Sequence, residues 1–384
     1  MTYKEIFADY IQDINNNIHT LLNLKKIVST DNKVLYTMNC LKNKKHFAYF
    51  DHKTNIIFCP HCGYNCSLVQ LVANITNTTE EESLYKILKQ KLNYTNSDLS
   101  SLIKYINEKN QNYSILYEVN QKAMELYIED FKTNVMAREY AINTRKLNDE
   151  TLSYFCIGSS SHKNLILDNL SSTYGIDVLF EAGLVGYNEE KNQYYDFFKN
   201  RLMFPIFDEF HRVIGFGGRT LTSSAAKYLN TKSTPIFHKG KTLYAIDKLE
   251  KGVLYDKVLI TEGYMDVVTM HQYGITNVTG NLGTAITQNH LDLLSKYTIR
   301  PVVMLDGDLA GVNAMKRTIE KVGKVDTVIL PNNLDPDEYL REYSSKSLIN
   351  TINKNIKSWN EAMKTNLLEK EGNIFENFLS VKGF

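Results

Sequence analysis

Apolar and polar positions follow two clear patterns in the first two thirds of the chain. Residues 67–75 and 117–137 carry apolar side chains at helical spacing, which predicts a helix in each. The segment MFPIFDEFHRVIGFGGR (203–219) instead alternates apolar and polar positions around Asp208 and Glu209. This alternation predicts a hairpin or a small curved sheet.

The pattern changes after Lys257. Helix-length segments there separate four short apolar runs, which are KVLIT, ITNVTG, RPVVML and DTVIL. Strands that alternate with helices at this spacing predict a mostly parallel sheet with helices on both faces. The expected fold is therefore a multidomain α/β and α+β protein.

Composition places the chain among folded proteins without a membrane span. Its 384 residues are enough for roughly two to three domains. The 44 Lys and Arg residues balance 43 Asp and Glu residues, for a formal charge of +1, which excludes a polycation that binds by bulk charge. No apolar run approaches the roughly 18 residues of a membrane helix, and the first residues are polar. A cytoplasmic location without membrane contact is expected.

Acidic residues follow the predicted strands. Glu262 comes directly after KVLIT, Asp306 and Asp308 come after RPVVML, and Asp335 and Asp337 come after DTVIL. The carboxyl ends of parallel strands share one edge of a sheet, where ligands bind. Carboxylates gathered there repel one another unless cations are bound, and oxygen ligands suit Mg²⁺ or Mn²⁺. Such metals best support transfer at a phosphoryl centre.

Structural roles are open for some of these acids. Asp266 would lie in the first turn of the helix after Glu262, where it could cap that helix or support the site from behind. Asp335 precedes Pro336 and could simply begin the next helix.

These segments resemble the bacterial DnaG-type primases. The TOPRIM core of that family is similar to EGYMDVV (262–268), LGTA (282–285), DGDLAG (306–311) and DPD (335–337). The likeness continues, in the family's order, through LSYFCIGSS (152–160), NRLMFPI (200–206), RVIGFGGR (212–219), KYLNT (227–231) and FHKGKTLY (237–244). It covers about two thirds of the chain.

The resemblance implies a DNA primase, which makes short RNA primers on single-stranded DNA from ribonucleoside triphosphates. Glu262, Asp306 and Asp308 would hold the catalytic Mg²⁺ or Mn²⁺, and Asp266, Asp335 and Asp337 would complete the acidic site. The DNA template, the triphosphates and the nascent RNA would be guided by a basic segment that also carries glycines and aromatic residues. The positions that match the family there are Arg201, Arg219, Lys227, Asn230, Lys239 and Lys241. Composition alone would favour an ordinary solvated face for this run.

A cysteine cluster near the amino terminus predicts a zinc site. Cys59 and Cys62 have the spacing of a zinc knuckle, and Cys40 is a suitable earlier ligand. The family places His where this chain has Asn43, so we take His46 as the fourth ligand, with His61 and Cys66 as alternatives. A metal-free domain with buried thiols is the competing interpretation.

The expected domains follow from these assignments. A zinc-binding, ribbon-like β domain spans residues 1–95, and a linker or weakly held helix spans 96–112. The primase core has an amino-terminal α+β subdomain (113–250) and a TOPRIM subdomain (251–345). A short helical tail (346–384) leaves no room for a full helicase-binding domain. We therefore hypothesise a short primase of a phage, plasmid or other mobile element. It would recruit a replicative helicase weakly, differently or not at all, and a single-strand-binding protein is an alternative partner.

Two other classes share some of these features. A TOPRIM nuclease or topoisomerase uses similar acids, but it does not explain KYLNT and FHKGKTLY. A non-catalytic replication protein that kept the fold would be favoured by loss of an acid, yet Glu262, Asp306 and Asp308 are all present. Catalysis is the favoured interpretation.

Overall fold

The chain divides into two compact units, residues 1–114 and 115–384. The structure is a computed structural model, and it describes most of the second unit and parts of the first. The described residues are 3–17, 21, 25–28, 34–39, 47–51, 56–58, 65–76, 78–161, 164–222, 226–250, 253, 255–298, 300–305, 325–331 and 334–356.

The first unit contains a five-stranded antiparallel sheet in which each strand pairs with the next along the chain. Its strands are β1 (Lys25–Val28), β2 (Val34–Asn39), β3 (Phe47–Asp51), β4 (Ile56–Phe58) and β5 (Asn65–Cys66). The helices are α1 (Tyr3–Ile6), α2 (Ala8–Asn16), α3 (Leu68–Thr76), as predicted, and α4 (Glu80–Lys91). The core of the unit includes Phe50, Ile57 and Leu84.

The long helix α5 (Ser100–Thr133) contains residues of both units. The segment expected to be a linker or a weakly held helix is therefore helical from Ser100 onward. Short elements follow: α6 (Val135–Arg138), a π-helical turn (Glu139–Thr144), α7 (Asp149–Tyr154), α8 (Leu165–Tyr174) and α9 (Ile176–Glu181).

An antiparallel sheet follows in the second unit. Its strand order is β11-β10-β9-β6, built from β6 (Gly158–Ser160), β9 (Arg201–Phe207), β10 (Val213–Thr220) and β11 (Tyr228–Asn230). The β9–β10 hairpin turns at residues 208–212, which confirms the predicted hairpin. A separate hairpin joins β7 (Val185–Asn188) to β8 (Gln193–Asp196), and two 3₁₀ turns lie at Lys239–Lys241 and Ile246–Lys248.

The predicted parallel sheet is confirmed. Its order is β13-β12-β14-β15, and every neighbouring pair is parallel. The strands are β12 (Val258–Thr261), β13 (Val278–Gly280), β14 (Pro301–Leu305) and β15 (Asp326–Ile329). The described helices are α10 (Tyr264–Gln272), α11 (Gln288–Leu294), α12 (Pro336–Glu342) and α13 (Ser345–Asn355).

Both faces of this sheet are covered. Leu259 and Val302 belong to a core cluster that also contains residues of α10, α12 and α13. The next residues along the strands, Ile260 and Val303, belong to a second cluster with Leu294 of α11. Successive side chains of a strand point to opposite faces, so helices cover the sheet on both sides, as expected.

Candidate functional site at the edge of the parallel sheet

The first candidate acid lies where the sequence predicts it. Glu262 follows β12 directly and is partly buried. Gly263 then begins α10, and its N–H donates a hydrogen bond of 3.0 Å to Oδ2 of Asp266. Asp266 is only 6% exposed and caps the first turn of α10. The contacts of Asp266 therefore match those of a helix cap, which is one of the roles that the sequence left open for this residue.

The neighbouring strand ends share this edge. β12 lies between β13 and β14, and Ile260 is paired with Val303. Asp306 comes directly after Leu305, the last residue of β14. Asp306 and Asp308 themselves lie outside the described residues.

Asp337 is held in a buried network of ion pairs and hydrogen bonds. Its Oδ2 accepts hydrogen bonds from Nη1 of Arg145 at 2.5 Å and from Nη2 of Arg341 at 3.1 Å. Its Oδ1 accepts a hydrogen bond of 2.8 Å from the hydroxyl of Thr269 on α10. The Asp337 side chain is 1% exposed. Both carboxylate oxygens are thus occupied by the protein itself.

Asp335 caps α12. Its Oδ1 accepts a hydrogen bond of 2.6 Å from the Glu338 N–H, and the Glu338 carboxylate accepts a longer one from the Asp335 N–H. Burial raises the pKa of the Asp335 carboxyl, and the hydrogen bond from Glu338 partly opposes this. Asp335 therefore begins a helix, which is the alternative that the sequence left open.

Arg201 is almost fully buried, although the resemblance places it at the nucleic acid. It is 5% exposed, and its Nη1 donates hydrogen bonds to the carbonyl oxygens of Gly218 (2.9 Å) and Ala226 (3.0 Å). Burial lowers the pKa of its guanidinium. These contacts tie β9 to β10 and to the segment before β11, which favours a structural role.

Asn230 connects three of the family segments. Its Oδ1 accepts a hydrogen bond of 2.5 Å from the hydroxyl of Tyr264, and its Nδ2 donates one of 3.0 Å to the carbonyl of Leu282. The Tyr264 ring lies against Gly217, where an added Cβ would be 2.2 Å from the ring. Only glycine leaves that space, so the antiparallel sheet can approach the residue two positions after Glu262.

Arg219 lies between two aromatic rings. Its guanidinium carbon is 5.2 Å from the ring centroids of both Tyr140 and Tyr228. The Tyr140 hydroxyl accepts a hydrogen bond of 2.8 Å from Nε of Arg145, the same arginine that contacts Asp337. A series of contacts therefore joins the basic segment to the acidic helix α12.

The three lysines of the basic segment are differently placed. Lys227 and Lys241 are exposed, whereas Lys239 is partly buried and its pKa is lowered by that burial. The 3₁₀ turn that carries Lys239 and Lys241 is fixed to the start of α11. There Thr287 donates a hydrogen bond to the Gly240 carbonyl at 2.6 Å, and His290 contacts the Lys239 carbonyl at 2.7 Å.

The metal sites are only partly within the described residues. Among those residues no group of three His, Cys, Asp or Glu side chains could hold a metal. The acid at the β12 end is a hard oxygen donor, which fits Mg²⁺ or Mn²⁺. All four proposed zinc ligands, Cys40, His46, Cys59 and Cys62, lie outside the described residues.

Sequence reasoning missed the partners of Asp337. Arg341 lies four residues after Asp337 on the same helix, and this spacing predicts an ion pair between them. Arg145 is 192 residues away and Thr269 is 68 residues away, and no local pattern connects them to Asp337.

Family models match two adjacent parts of the chain. A model described as the DNA primase catalytic core, N-terminal domain, matches residues 126–250, and a Toprim-like model matches residues 259–340. The parallel sheet with an acid at its carboxyl edge, next to the antiparallel sheet, thus defines a TOPRIM-containing protein of the primase type.

Two bacterial DNA primases are similar to this chain over longer segments. The chain is 32% identical over 358 residues to a DNA primase of Clostridium acetobutylicum, which covers 89% of this chain and 58% of the relative. It is 36% identical over 251 residues to a DNA primase of Lactococcus lactis, covering 63% and 39%. The chain therefore spans about two fifths to three fifths of the length of these relatives.

Solved structures agree with the sequence relatives. A primase domain of Pseudomonas aeruginosa has a TM-score of 0.60 at 32% identity, covering 65% of this chain and 81% of that one. A DnaG catalytic domain bound to single-stranded DNA gives 0.59 at 32% identity, covering 64% and 82%. A primase of Aquifex aeolicus with zinc-binding and RNA polymerase domains gives 0.59 at 26% identity, covering 94% and 90%. The chain belongs to the DnaG-type DNA primase family.

Within the described residues, no helix combines the length and the apolar character needed to cross a membrane.

Proposed function

We propose that this chain is a DNA primase, a nucleotidyltransferase that makes short RNA primers on a single-stranded DNA template. The observation that carries the proposal is the position of Glu262 at the carboxyl end of β12, beside the strand whose next residue is Asp306. Family membership supports the same reaction. The substrates are ribonucleoside triphosphates.

Glu262, Asp306 and Asp308 would hold the divalent metal. When bound, Mg²⁺ or Mn²⁺ would neutralise phosphate charge and favour ionisation of the attacking 3′-hydroxyl. Asp266 holds the start of α10 through Gly263 and so fixes the backbone next to Glu262. We assign it a positioning role.

The basic residues divide by their contacts. Lys227 and Lys241 are exposed, so their ammonium groups are available to phosphates of the template, the triphosphate or the nascent RNA. We place Arg219 and Lys239 at the margin of this surface. Arg201 and Asn230 would act from behind it, because their polar atoms bond to the protein.

The antiparallel sheet of the first unit supports a zinc site with His46 as the fourth ligand. Cys40 directly follows β2, His46 directly precedes β3, and Cys59 directly follows β4. The β2–β3 pair Asn39 and Phe47 and the carboxyl end of β4 lie at the same end of this sheet. Each of the three proposed ligands is adjacent in the chain to one of these strand ends.

Cys66 is less suited to this zinc site. It lies within β5 opposite Ile57 and is part of the hydrophobic core of the first unit. Zinc content measured by atomic absorption should fall to near zero in Cys59→Ser and in His46→Ala, and stay near one per chain in Cys66→Ser. If Cys66→Ser lost its zinc while Cys59→Ser and His46→Ala kept theirs, this ligand set would be wrong.

Primer synthesis tests the main proposal. The chain would be incubated with single-stranded DNA, labelled ribonucleotides and Mg²⁺ or Mn²⁺, beside Glu262→Gln and Asp306→Asn. We expect short RNA from the wild type and none from either variant, whereas Glu342→Gln, an exposed acid on α12, should remain active. Cleavage of the template without new RNA would identify a nuclease instead.

A further inference from the structure

A row of three aromatic rings lies on the β7–β8 hairpin and α9, and the two outer rings are exposed. Tyr187 and Tyr194 are direct partners across the hairpin, with ring centroids 4.9 Å apart, and Phe180 of α9 lies 6.3 Å from Tyr194. Phe180 is 52% exposed and Tyr187 is 39% exposed. We call these three residues the aromatic row. None of them is among the residues assigned to the primase reaction.

Exposed acidic residues lie on the same two elements as the aromatic row. Asp177 and Glu181 lie on α9 beside Phe180, and Glu189 and Glu190 form the turn that follows Tyr187. All four are exposed, and Lys191 is the one cation of the turn. The net charge of these five side chains is −4 + 1 = −3.

From this combination we propose that the aromatic row docks a positively charged segment of a partner protein that presents arginine side chains. A guanidinium group is attracted to an aromatic face and also pairs with carboxylates through its planar N–H groups. The exposed rings of Phe180 and Tyr187, together with four exposed carboxylates of the same helix and hairpin, could offer both interactions.

Two other occupants fit this charge poorly. A nucleic-acid strand would bring phosphates against the carboxylates, although its bases could stack on the rings. A second copy in a twofold dimer would set the same acidic surface against itself. The negative charge of this surface therefore favours a basic protein segment over a nucleic-acid strand or a second copy of the chain.

The test measures binding of an arginine peptide to the full chain. A fluorescent twelve-residue peptide with four arginines spaced by Gly and Ser is titrated by anisotropy, beside the same peptide with glutamines. We expect saturable binding of the arginine peptide only. In the double variant Phe180→Ser with Tyr187→Ser, affinity should fall roughly fivefold to thirtyfold.

Matched variants separate this surface from the rest of the chain. Tyr273→Ser alters a tyrosine that is 38% exposed elsewhere and should leave the affinity unchanged. Glu181→Gln with Glu190→Gln should weaken binding and reduce its salt dependence, whereas Glu150→Gln on α7 should not. Circular dichroism and primer synthesis should stay at wild-type levels in all of them.

Three results would overturn the proposal. The first is equal affinity in the wild type and the Phe180–Tyr187 double variant, since the peptide would then bind another acidic region such as the strand-end site. The second is a wild-type dimer in sedimentation that the double variant loses. The third is a loss of single-stranded DNA binding in that variant.

Discussion

The pair Glu262 and Asp266, at the start of α10, differs from the pair Asp335 and Asp337, at the start of α12. Glu262 precedes α10, and Asp266 bonds to the backbone of Gly263. One turn further along, Thr269 donates its hydroxyl to Asp337, whose other oxygen is held by arginines. The first pair borders the edge where the parallel strands end. The second pair is occupied by the protein and supports the packing of α12 on α10.

The difference shows that acids of one motif set need not share one role. A carboxylate that already accepts hydrogen bonds from two guanidinium groups and a hydroxyl has little remaining capacity for a metal ion. Glu262 instead follows a strand whose neighbour is followed by Asp306 and Asp308 in the sequence, and carboxylates close together repel one another unless a cation is bound. The metal-binding role proposed for Glu262 is therefore distinct from the structural role that the contacts of Asp337 favour.

The largest expected effect comes from Glu262→Gln. Removing the charge of a proposed metal ligand should lower primer synthesis by roughly 10³-fold or more, because stabilisation of charge at the phosphate would be lost. The affinity for Mn²⁺, followed by electron paramagnetic resonance, should fall at least about tenfold. The midpoint of unfolding should change little, since Glu262 lies at a strand end and is only partly buried.

Asp337→Asn is the matched comparison for that experiment. It keeps the shape of the side chain and removes its charge, and Mn²⁺ affinity should stay within about twofold of the wild type. A loss of Mn²⁺ affinity equal to that of Glu262→Gln would place Asp337 at the metal and end the distinction.

The next largest effect is the stability loss in Asp337→Ala. Removing one partner leaves Arg145 without its ion pair, and its side chain is only 16% exposed. Breaking a buried pair in this way costs about 3–5 kcal/mol of unfolding free energy. Urea denaturation should report this decrease, and Glu342→Gln on the exposed face of α12 should not show it. A change below about 1 kcal/mol would contradict the structural role.

The two acid pairs also mark how far the sequence could predict the structure. The strands β12 to β15, the hairpin around Asp208 and the start of α10 follow from local patterns of apolar residues, capping and glycine. The network of Asp337 depends on Arg145 from another part of the chain. Such a contact depends on tertiary packing, which the spacing of apolar residues along the chain does not predict.

The basic segment shows the same limit. A motif match identifies Arg201 and Asn230, but it does not say which atoms face solvent. The structure directs Arg201 to backbone carbonyls and Asn230 to Tyr264 and Leu282. The burial and the hydrogen-bond partners of these two residues could therefore be known only from the fold.

A smaller effect is expected from pH at the far end of α10. Burial lowers the pKa of His271 to about 4, and the charge of Lys248 adds to this. The unfolded chain binds a proton near pH 6.5 that the folded chain does not take up until about pH 4. Stability should therefore fall as pH decreases through this window, by about 3 kcal/mol.

His271→Phe is the control for that pH dependence. The ring packs edge-on against Phe155 at 5.1 Å, so phenylalanine keeps the aromatic contact and removes the titrating group. Urea unfolding between pH 7 and pH 4.5 should show a shallower decline in the variant. Equal slopes would show that other groups cause the loss.

The smallest effect tests Asp335, the first acid of the second pair. Asparagine caps a helix about as well as aspartate, so Asp335→Asn should change the unfolding free energy by less than about 0.5 kcal/mol. Asp335→Ala removes the acceptor for the Glu338 N–H and should cost about 1 kcal/mol. Burial already raises the pKa of this carboxyl, so loss of its charge carries little penalty. Asp335→Asn could instead keep its stability but lose as much Mn²⁺ affinity as Glu262→Gln. Asp335 would then be a metal ligand as well as a helix cap, and only Asp337 would keep a purely structural role.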